Sequence, residues 1–323
     1  MAEKTKQQNA NQVWEDLRSM PASKNNLPVR EGRLPFRGFT DWFKSVGGPV
    51  EAGKFPVLVL HGGPGAAHDY LEPIEALAAT GRPVIFYDQL GCGQSDRPHD
   101  PSLWDVPLFV EEVGAVRQAL GLDRLHILGQ SWGGMLGMEY ALTQPEGLVS
   151  LIIANSPASM TQWVSEANRL RAALPEEVQE TLLQHEAAGT TASADYQEAV
   201  AVFYGRHVCR TDPLPECVQR SFAQIDADPE VYHTMNGPSE FHVVGRLKGL
   251  DITGRLGEIA VPTLVLSGRH DEATPLIAQT VQQGIPGAEW VLFEESSHMP
   301  HVEEAERYLE VVDAFLTRIE RAA

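Results

Sequence analysis

The sequence has few basic residues and no long apolar run. Its 323 residues carry 25 Lys and Arg against 44 Asp and Glu, which gives a formal net charge of −19 at pH 7. A surface this acidic repels phosphate backbones and anionic lipids, so the composition argues against nucleic-acid and membrane partners. The opening residues lack the apolar core of a signal peptide, and no segment is long enough to span a membrane. We therefore expect a cytoplasmic protein.

Cysteine is also scarce, because the chain contains only Cys92, Cys209 and Cys217. An odd number of cysteines without a secretion signal argues against a disulfide framework. A bridge between Cys209 and Cys217 is conceivable across the short RTDPLPE segment between them, but we expect free thiols.

Apolar runs of strand length alternate with helix-like segments through much of the chain. The runs between residues 57 and 156 are VLVLHG, PVIFYD, LHILGQ and LVSLIIANS, and PTLVLSG and AEWVLFEE follow after residue 261. Strands joined by helices of this length predict a mostly parallel sheet with helices on both faces. REGRLPF and FTDWFKSVG supply two earlier strands. We expect an α/β fold with an eight-stranded sheet.

The alternation stops between residues 158 and 256, where the sequence is polar and helical. We expect this segment to be a helical cap over the carboxyl edge of the sheet, where ligands bind in open α/β folds. The predicted core then comprises residues 28–157 and 257–323. Residues 1–27 are predicted to form an N-terminal arm, either loose or as a short helix.

The segment GQSWGG (129–134) fits the pattern G-x-S-x-G, with a strand before it and a helix after it. Such a turn exposes the serine hydroxyl at a helix N-terminus, where negative charge is favoured. Side chains in place of Gly129 and Gly133 would collide across the turn. Ser131 is therefore the candidate nucleophile, and the alternative is an ordinary glycine-rich turn.

The segment HGGPG (61–65) follows the first parallel strand and offers bare backbone N–H groups to an anion. In this fold, one oxyanion donor comes from that loop and the other from the residue after the nucleophile. The candidate donors are the N–H groups of Gly63, or else Gly62, and of Trp132.

A serine nucleophile works in a triad with a histidine base and an acid that orients the histidine. In this fold, the acid and then the histidine follow the serine along the chain. Asp271 and Glu272 both follow the strand PTLVLSG, and position alone does not separate them. His298 comes just after the last strand and is the candidate base. His301 is the runner-up, and His270 would point away from the acid beside it.

Five motifs in combination resemble the proline iminopeptidase family of α/β-hydrolases: HGGPG, YDQLGCGQSD, GQSWGG, NGPSEF and GRHDEATP. The resemblance runs from about residue 29 to the C-terminus. Within the family, WVSEANRLR, HVCR, DADPEVYHTMNGPSEFHVVG and FEESSHMPHVEE look most similar to bacterial L-amino acid amidases, also called L-proline amide hydrolases. The resemblance implies an α/β-hydrolase fold and cleavage of an amide next to a free α-amine, without a cofactor.

The resemblance also assigns the two adjacent carboxylates. Asp271 matches the triad acid that orients the base, and Glu272 matches a carboxylate that binds the substrate's amine together with Glu240 of NGPSEF. A protonated proline nitrogen has two N–H donors, and two carboxylates can each accept one in a strong charge-assisted bond. The alternative is that Glu240 pairs with a nearby arginine such as Arg246.

The leading hypothesis is an amidase that converts small L-amino acid amides such as L-prolinamide to the acid and ammonia. The alternative is a proline iminopeptidase that releases N-terminal proline from short peptides, since the two differ only in the leaving group. A general esterase or lactonase has no need of the Glu240–Glu272 pair. An epoxide hydrolase or dehalogenase would carry Asp in place of Ser131. A non-catalytic receptor is disfavoured by the intact candidate triad of Ser131, Asp271 and His298.

A metal centre has little support in the sequence. His298, His301 and Glu303 are close along the chain, but no further ligand cluster accompanies them. We expect no metal and no cofactor, and a small-molecule amide or short peptide as the binding partner.

Overall fold

The computed structural model describes residues 18–20 and 26–323. Within these residues, nine strands form a single sheet. Their bounds are β1 Arg18–Met20, β2 Val29–Phe36, β3 Phe39–Val46, β4 Val57–Leu60, β5 Val84–Tyr87, β6 Leu125–Gln130, β7 Leu148–Ala154, β8 Thr263–Gly268 and β9 Glu289–Phe293. The eight predicted strands are all present, and the short β1 adds a ninth within the predicted N-terminal arm. The rest of that arm, residues 1–17 and 21–25, lies outside the described residues.

The strands follow the order β1-β2-β3-β5-β4-β6-β7-β8-β9 across the sheet. β1, β2, β3 and β5 pair antiparallel, and the remaining neighbours from β5 to β9 pair parallel. The sheet is therefore mostly parallel, as the alternation of strands and helices predicts. The parallel strands also bring all their carboxyl ends to one edge.

Ten α-helices and three 3₁₀ helices are present in the described ranges. The α-helices are α1 Val106–Ala119, α2 Trp132–Ala141, α3 Met160–Arg171, α4 Glu176–Ala188, α5 Ala194–His207, α6 Glu216–Ala227, α7 Glu230–Met235, α8 Pro275–Gly284, α9 Pro300–Glu303 and α10 Ala305–Ala322. The 3₁₀ helices are His68–Thr80, Arg246–Gly249 and Thr253–Glu258.

The core lies on both faces of the sheet because neighbouring side chains of a strand point to opposite sides. In β4, Leu58 and Leu60 belong to one apolar cluster, whereas Val57 and Val59 belong to the other. Helices cover each cluster. In α10, for example, the buried residues recur every three or four positions, as expected for a helix with one apolar face: Tyr308, Val312, Phe315 and Leu316.

Two helices differ from the sequence prediction. The helix expected at about residues 70–80 is a 3₁₀ helix with Pro73 inside it, and proline cannot donate the backbone hydrogen bond that an α-helix needs. The last helix, expected from Glu303, is split at Glu304, whose backbone is not helical. The carboxylate of Glu304 instead accepts hydrogen bonds from the Ser296 hydroxyl and the Glu295 N–H.

The residues between β7 and β8, all of which are described, form helices α3 to α7 and two 3₁₀ helices but no strand. They have a small apolar core of their own, in which the rings of Phe203 and Phe241 pack edge to face at 4.8 Å. The exact limits of a cap at residues 158 and 256 stay a prediction. Within the described residues, no helix is both long and apolar enough to cross a membrane.

Candidate active site

Ser131 lies in a strained turn between β6 and α2. Its backbone has φ 56° and ψ −125°, a conformation that L-residues rarely adopt. The turn is tight, since a Cβ on Gly129 would lie 2.1 Å from the Gly133 carbonyl oxygen, and one on Gly133 would lie 2.0 Å from that of Leu60. Glycine is therefore required at both positions, as the G-x-S-x-G pattern predicts.

The loops after β8 and β9 lie side by side because these two strands are parallel neighbours. This arrangement brings Oδ1 of Asp271 within 2.7 Å of Nδ1 of His298. Asp271 is held in turn by the Ala273 N–H at 2.8 Å and by the side-chain amide of Asn155 at 2.6 Å. The carboxylate thus accepts a hydrogen bond from Nδ1–H, which leaves Nε2 of His298 without a proton and free to act as a base.

Two further contacts bring His298 to the nucleophile turn. The side-chain amide of Gln130, the residue before Ser131, donates to the His298 carbonyl at 3.0 Å. The His298 ring packs edge to face on Trp163 at 6.2 Å, and Trp163 and Ser131 line the same cavity. Burial lowers the pKa of His298, but the charge and hydrogen bond of Asp271 outweigh it, so the pKa is raised above its usual value.

The candidate oxyanion donors border that cavity. β4 and β6 pair in parallel with Leu60 opposite Gly129, so the loop after β4 lies beside the Ser131 turn. Gly63 and Trp132 both line the cavity with Ser131. The N–H of Gly62 instead donates to the Tyr70 hydroxyl at 2.8 Å, which leaves Gly63 as the candidate from this loop.

The Glu272 side chain is almost completely buried, at 1% exposure, and neither of its oxygens has a hydrogen-bond partner among residues 26–323. Oε1 lies 3.8 Å from Nε2 of His298. Burial, followed by the charges of Glu240 and Asp271, raises the pKa of Glu272 well above its ordinary value. A buried carboxylate without a partner is costly, so this site is suited to a cationic ligand.

Glu240 reaches the same region from the helical segment. The Tyr232 hydroxyl donates to its Oε1 at 2.8 Å, and the Trp163 indole N–H donates to its carbonyl oxygen at 2.7 Å. Glu240 lines the cavity with Ser131. Arg246, the alternative partner, donates instead to the carbonyl oxygens of Ser102 and Trp104. The pairing of Glu240 with Arg246 is therefore wrong.

The other histidine candidates lie away from this arrangement. Nε2 of His301 donates to the Tyr70 carbonyl at 3.1 Å, and burial lowers the pKa of His301 to about 3. His270 is exposed on the surface. His301 therefore serves as a neutral buried side chain between two tyrosine rings, those of Tyr70 and Tyr308.

Glu303 does not join His298 and His301 as a ligand set. Its carboxylate accepts hydrogen bonds from the Arg210 N–H and from the N–H and hydroxyl of Ser297. In residues 26–323, three side chains elsewhere lie close enough to share an ion, those of His68, Asp69 and Glu72, but Arg220 already bonds to both carboxylates. No disulfide joins Cys92, Cys209 or Cys217, all of which are described.

The sequence patterns did not reveal Asn155, Tyr232 or Tyr204. The Tyr204 hydroxyl accepts the Glu240 N–H at 3.3 Å, and the charges of Glu240 and Glu272 help to raise the pKa of Tyr204, after burial as the main cause. Asn155 and Tyr204 act through contacts with Asp271 and Glu240 that are far apart along the chain, whereas Tyr232 is eight residues from Glu240. Only Asn155 has a local signal, because it directly follows the apolar residues of the run LVSLIIANS at the edge where ligands bind.

Comparisons with known proteins agree with this architecture. A family model described as alpha/beta hydrolase fold matches residues 56–305. The proline iminopeptidase of Clostridium botulinum is 41% identical over 295 residues, which cover 90% of this chain and 99% of that protein. A proline iminopeptidase of Heyndrickxia coagulans is 43% identical over 294 residues, covering 91% and 98%.

Two solved structures are also similar over most of their length. The crystal structure of VinJ matches with a TM-score of 0.87 and 46% identity, covering 90% of this chain and 98% of that one. The crystal structure of a proline iminopeptidase from Mycobacterium smegmatis matches with a TM-score of 0.84 and 48% identity, covering 90% and 99%.

Proposed function

Because this chain belongs to the proline iminopeptidase family of α/β-hydrolases, we propose that it is a serine peptidase that releases N-terminal proline from short peptides. The observation that carries the proposal is the buried Glu272. Its oxygens have no hydrogen-bond partner among the described residues, and Oε1 lies 3.8 Å from Nε2 of His298. A carboxylate in that place selects for a cation next to the scissile bond.

In the proposed reaction, Nε2 of His298 takes the proton of the Ser131 hydroxyl as the serine oxygen attacks the carbonyl carbon of the N-terminal proline. The Asp271 carboxylate holds Nδ1–H and stabilises the imidazolium. The backbone N–H groups of Gly63 and Trp132 stabilise the oxyanion that forms. His298 then gives its proton to the departing amine, and water hydrolyses the acyl-enzyme by the same steps.

Glu240 and Glu272 are proposed to bind the protonated amine of the N-terminal residue. Each carboxylate accepts one N–H of the prolyl nitrogen, and the Tyr232 hydroxyl keeps Glu240 in place. The raised pKa of Glu272 means that the free enzyme holds it protonated more readily than an ordinary glutamate. Binding of the ammonium favours the charged form, so the proton leaves as the substrate enters.

L-Amino acid amides are the leading substrates expected from the sequence, but the relatives named above are proline iminopeptidases, which favours peptides. The amidase hypothesis uses the same nucleophile and the same amine site, with ammonia as the leaving group. It therefore stays a second candidate, and cleavage of L-prolinamide as a side activity is compatible with the peptidase.

A comparison of kcat/KM on a Pro-Ala dipeptide, L-prolinamide and p-nitrophenyl butyrate tests the proposal. Ser131→Ala, which lacks the candidate nucleophile, is the control for turnover that does not depend on this serine. We expect the dipeptide to be the best substrate and Ser131→Ala to lose turnover on both prolyl substrates. A faster reaction on L-prolinamide would replace the peptidase with the amidase. Turnover of the butyrate alone would overturn both.

A further inference from the structure

The completely buried side chain of Gln89 links the two segments that carry the candidate oxyanion donors. Gln89 follows β5, outside the candidate triad, the oxyanion pair and the amine site. We propose that Gln89 is a positioning residue that sets the distance between the N–H groups of Gly63 and Trp132. This inference rests on the proposed function, because it assigns Gln89 a role in stabilising the oxyanion at Ser131.

The first link is to the loop after β4. The Gln89 backbone N–H donates to Nε2 of His61 at 2.9 Å, so this ring nitrogen carries no proton. The ring proton is therefore on Nδ1, which donates to the Gly62 carbonyl at 3.0 Å. Burial lowers the pKa of His61, which favours this neutral form. Hydrogen bonds to both ring nitrogens thus hold the His61 ring in one orientation and one tautomer, two residues before Gly63.

The second link is through the Gln89 side-chain amide. Its Nε2 donates to the His61 carbonyl at 2.9 Å, and its Oε1 accepts the Trp132 indole N–H at 2.8 Å. An indole N–H can only donate, so it fixes which end of the amide faces Trp132. One planar group therefore connects the residue that starts the glycine loop to the residue after the nucleophile.

This bridge matters because an oxyanion site works only when both donors are in place before the reaction. If the Gln89 amide is lost, the indole N–H of Trp132 and the carbonyl of His61 are buried without hydrogen-bond partners. The two segments then shift apart to find new partners for these groups. A misplacement of about 1 Å at a catalytic group costs roughly 100-fold in rate. Binding of the N-terminal amine, which uses Glu240 and Glu272, stays intact.

The test uses Gln89→Met, which has a similar length but cannot form these bonds. We expect kcat on a prolyl p-nitroanilide to fall about 10- to 100-fold with KM within about threefold. The affinity for L-prolinal should fall with kcat, because the aldehyde adds to a serine hydroxyl and places an oxygen in the oxyanion site. A residue that only supports the fold would lower the melting temperature without this selective loss.

Trp132→Phe removes the same indole N–H from the other side. We expect it to lower kcat and L-prolinal affinity in the same direction and to be non-additive with Gln89→Met. It keeps the proposal testable if Gln89→Met fails to fold. Trp290→Phe is the matched control, since Trp290 on β9 donates its indole N–H to the Ser267 hydroxyl on β8 at 2.9 Å. This variant should keep kcat within twofold of the parent.

Unchanged kcat and L-prolinal affinity in both Gln89→Met and Trp132→Phe would overturn the inference. So would a loss in Trp290→Phe as large as that in Gln89→Met, because it would show a general effect of broken indole bonds. If Ser131→Ala keeps the parent's turnover, the proposed function itself fails. An inactive Ser131→Ala beside a fully active Gln89→Met would remove only the role of Gln89.

Discussion

Replacement of Glu272 by glutamine should separate substrate binding from the reactivity of the serine. The substitution keeps the shape of the side chain but removes the charge that is proposed to bind the substrate's amine. Neither oxygen of Glu272 has a hydrogen-bond partner among the described residues, and the nearest cationic candidate is the His298 ring at 3.8 Å. The lost interaction should therefore appear in full as a loss of kcat/KM on substrates with a free N-terminal proline.

The expected loss follows from the burial of the site. Removal of one partner from a buried, hydrogen-bonded charge pair costs about 2–5 kcal/mol, which corresponds to roughly 30- to several thousand-fold in kcat/KM. Glu272 is 1% exposed, whereas Glu240 is partly exposed and keeps its bond to Tyr232. We expect Glu272→Gln to fall in the upper half of this range and Glu240→Gln in the lower half.

The assay combines steady-state kinetics on a prolyl p-nitroanilide with labelling by a small fluorophosphonate. Because the labelling reagent carries no amine, both Gln variants should react with it at the rate of the parent protein. Glu75→Gln is the matched control for a buried glutamate, since Glu75 pairs with Lys44 at 2.6 Å and is not part of the proposed machinery. We expect its kcat/KM to stay within about twofold of the parent.

Two results would refute this reasoning. One is a kcat/KM for Glu272→Gln within threefold of the parent, which would mean that the carboxylate does not bind the amine. The other is a loss of fluorophosphonate labelling as large as the loss of kcat/KM, which would mean that Glu272 acts on the serine through His298. A lower melting temperature for Glu272→Gln is not expected, because the substitution removes an unpartnered buried carboxylate.

Other substitutions should have equally distinct effects. His298→Ala should lose nearly as much activity as Ser131→Ala, whereas His301→Ala should keep most of its kcat; equal losses in kinetic assays would mean that the base is misassigned. Activity needs neutral His298, whose pKa is raised, so kcat/KM measured against pH should rise through a value above 6.5 rather than at or below it. Asp41→Asn should stabilise the protein at pH 8 by about 1–3 kcal/mol in denaturant unfolding, and less at pH 5. Burial raises the pKa of Asp41 to about 7, so the folded state loses stability as the pH rises from about 4 towards 7. Glu310→Gln is the control, and a destabilised Asp41→Asn beside an unchanged Glu310→Gln would contradict this account.

The strands were predictable from sequence because their apolar runs are continuous and bounded. LHILGQ, for example, became β6 with the predicted limits. The type and bounds of the helices were predicted less exactly where the backbone departs from the apolar pattern, as at Pro73 and at the break at Glu304. The short strand β1 gave no such signal, because three residues are too few to show a period.

The candidate site was predictable where a motif encodes local geometry. GQSWGG indicated Ser131, and the order of acid and base along the chain indicated His298. Only the family resemblance separated Asp271 from Glu272, and the fold brings Asp271 and His298 into contact. Gln89 was not predictable, since its partners come from distant segments. Only a three-dimensional structure shows that the Gln89 amide touches both His61 and Trp132.

The most direct test of the account compares L-prolyl-p-nitroanilide with its N-acetyl derivative. Acetylation keeps the ring, the scissile bond and the leaving group but removes the cation that Glu240 and Glu272 are proposed to bind. We expect kcat/KM on the acetylated compound to be lower by roughly 30- to several thousand-fold. Equal values for the two compounds would contradict the proposed amine site and leave a general serine hydrolase in its place.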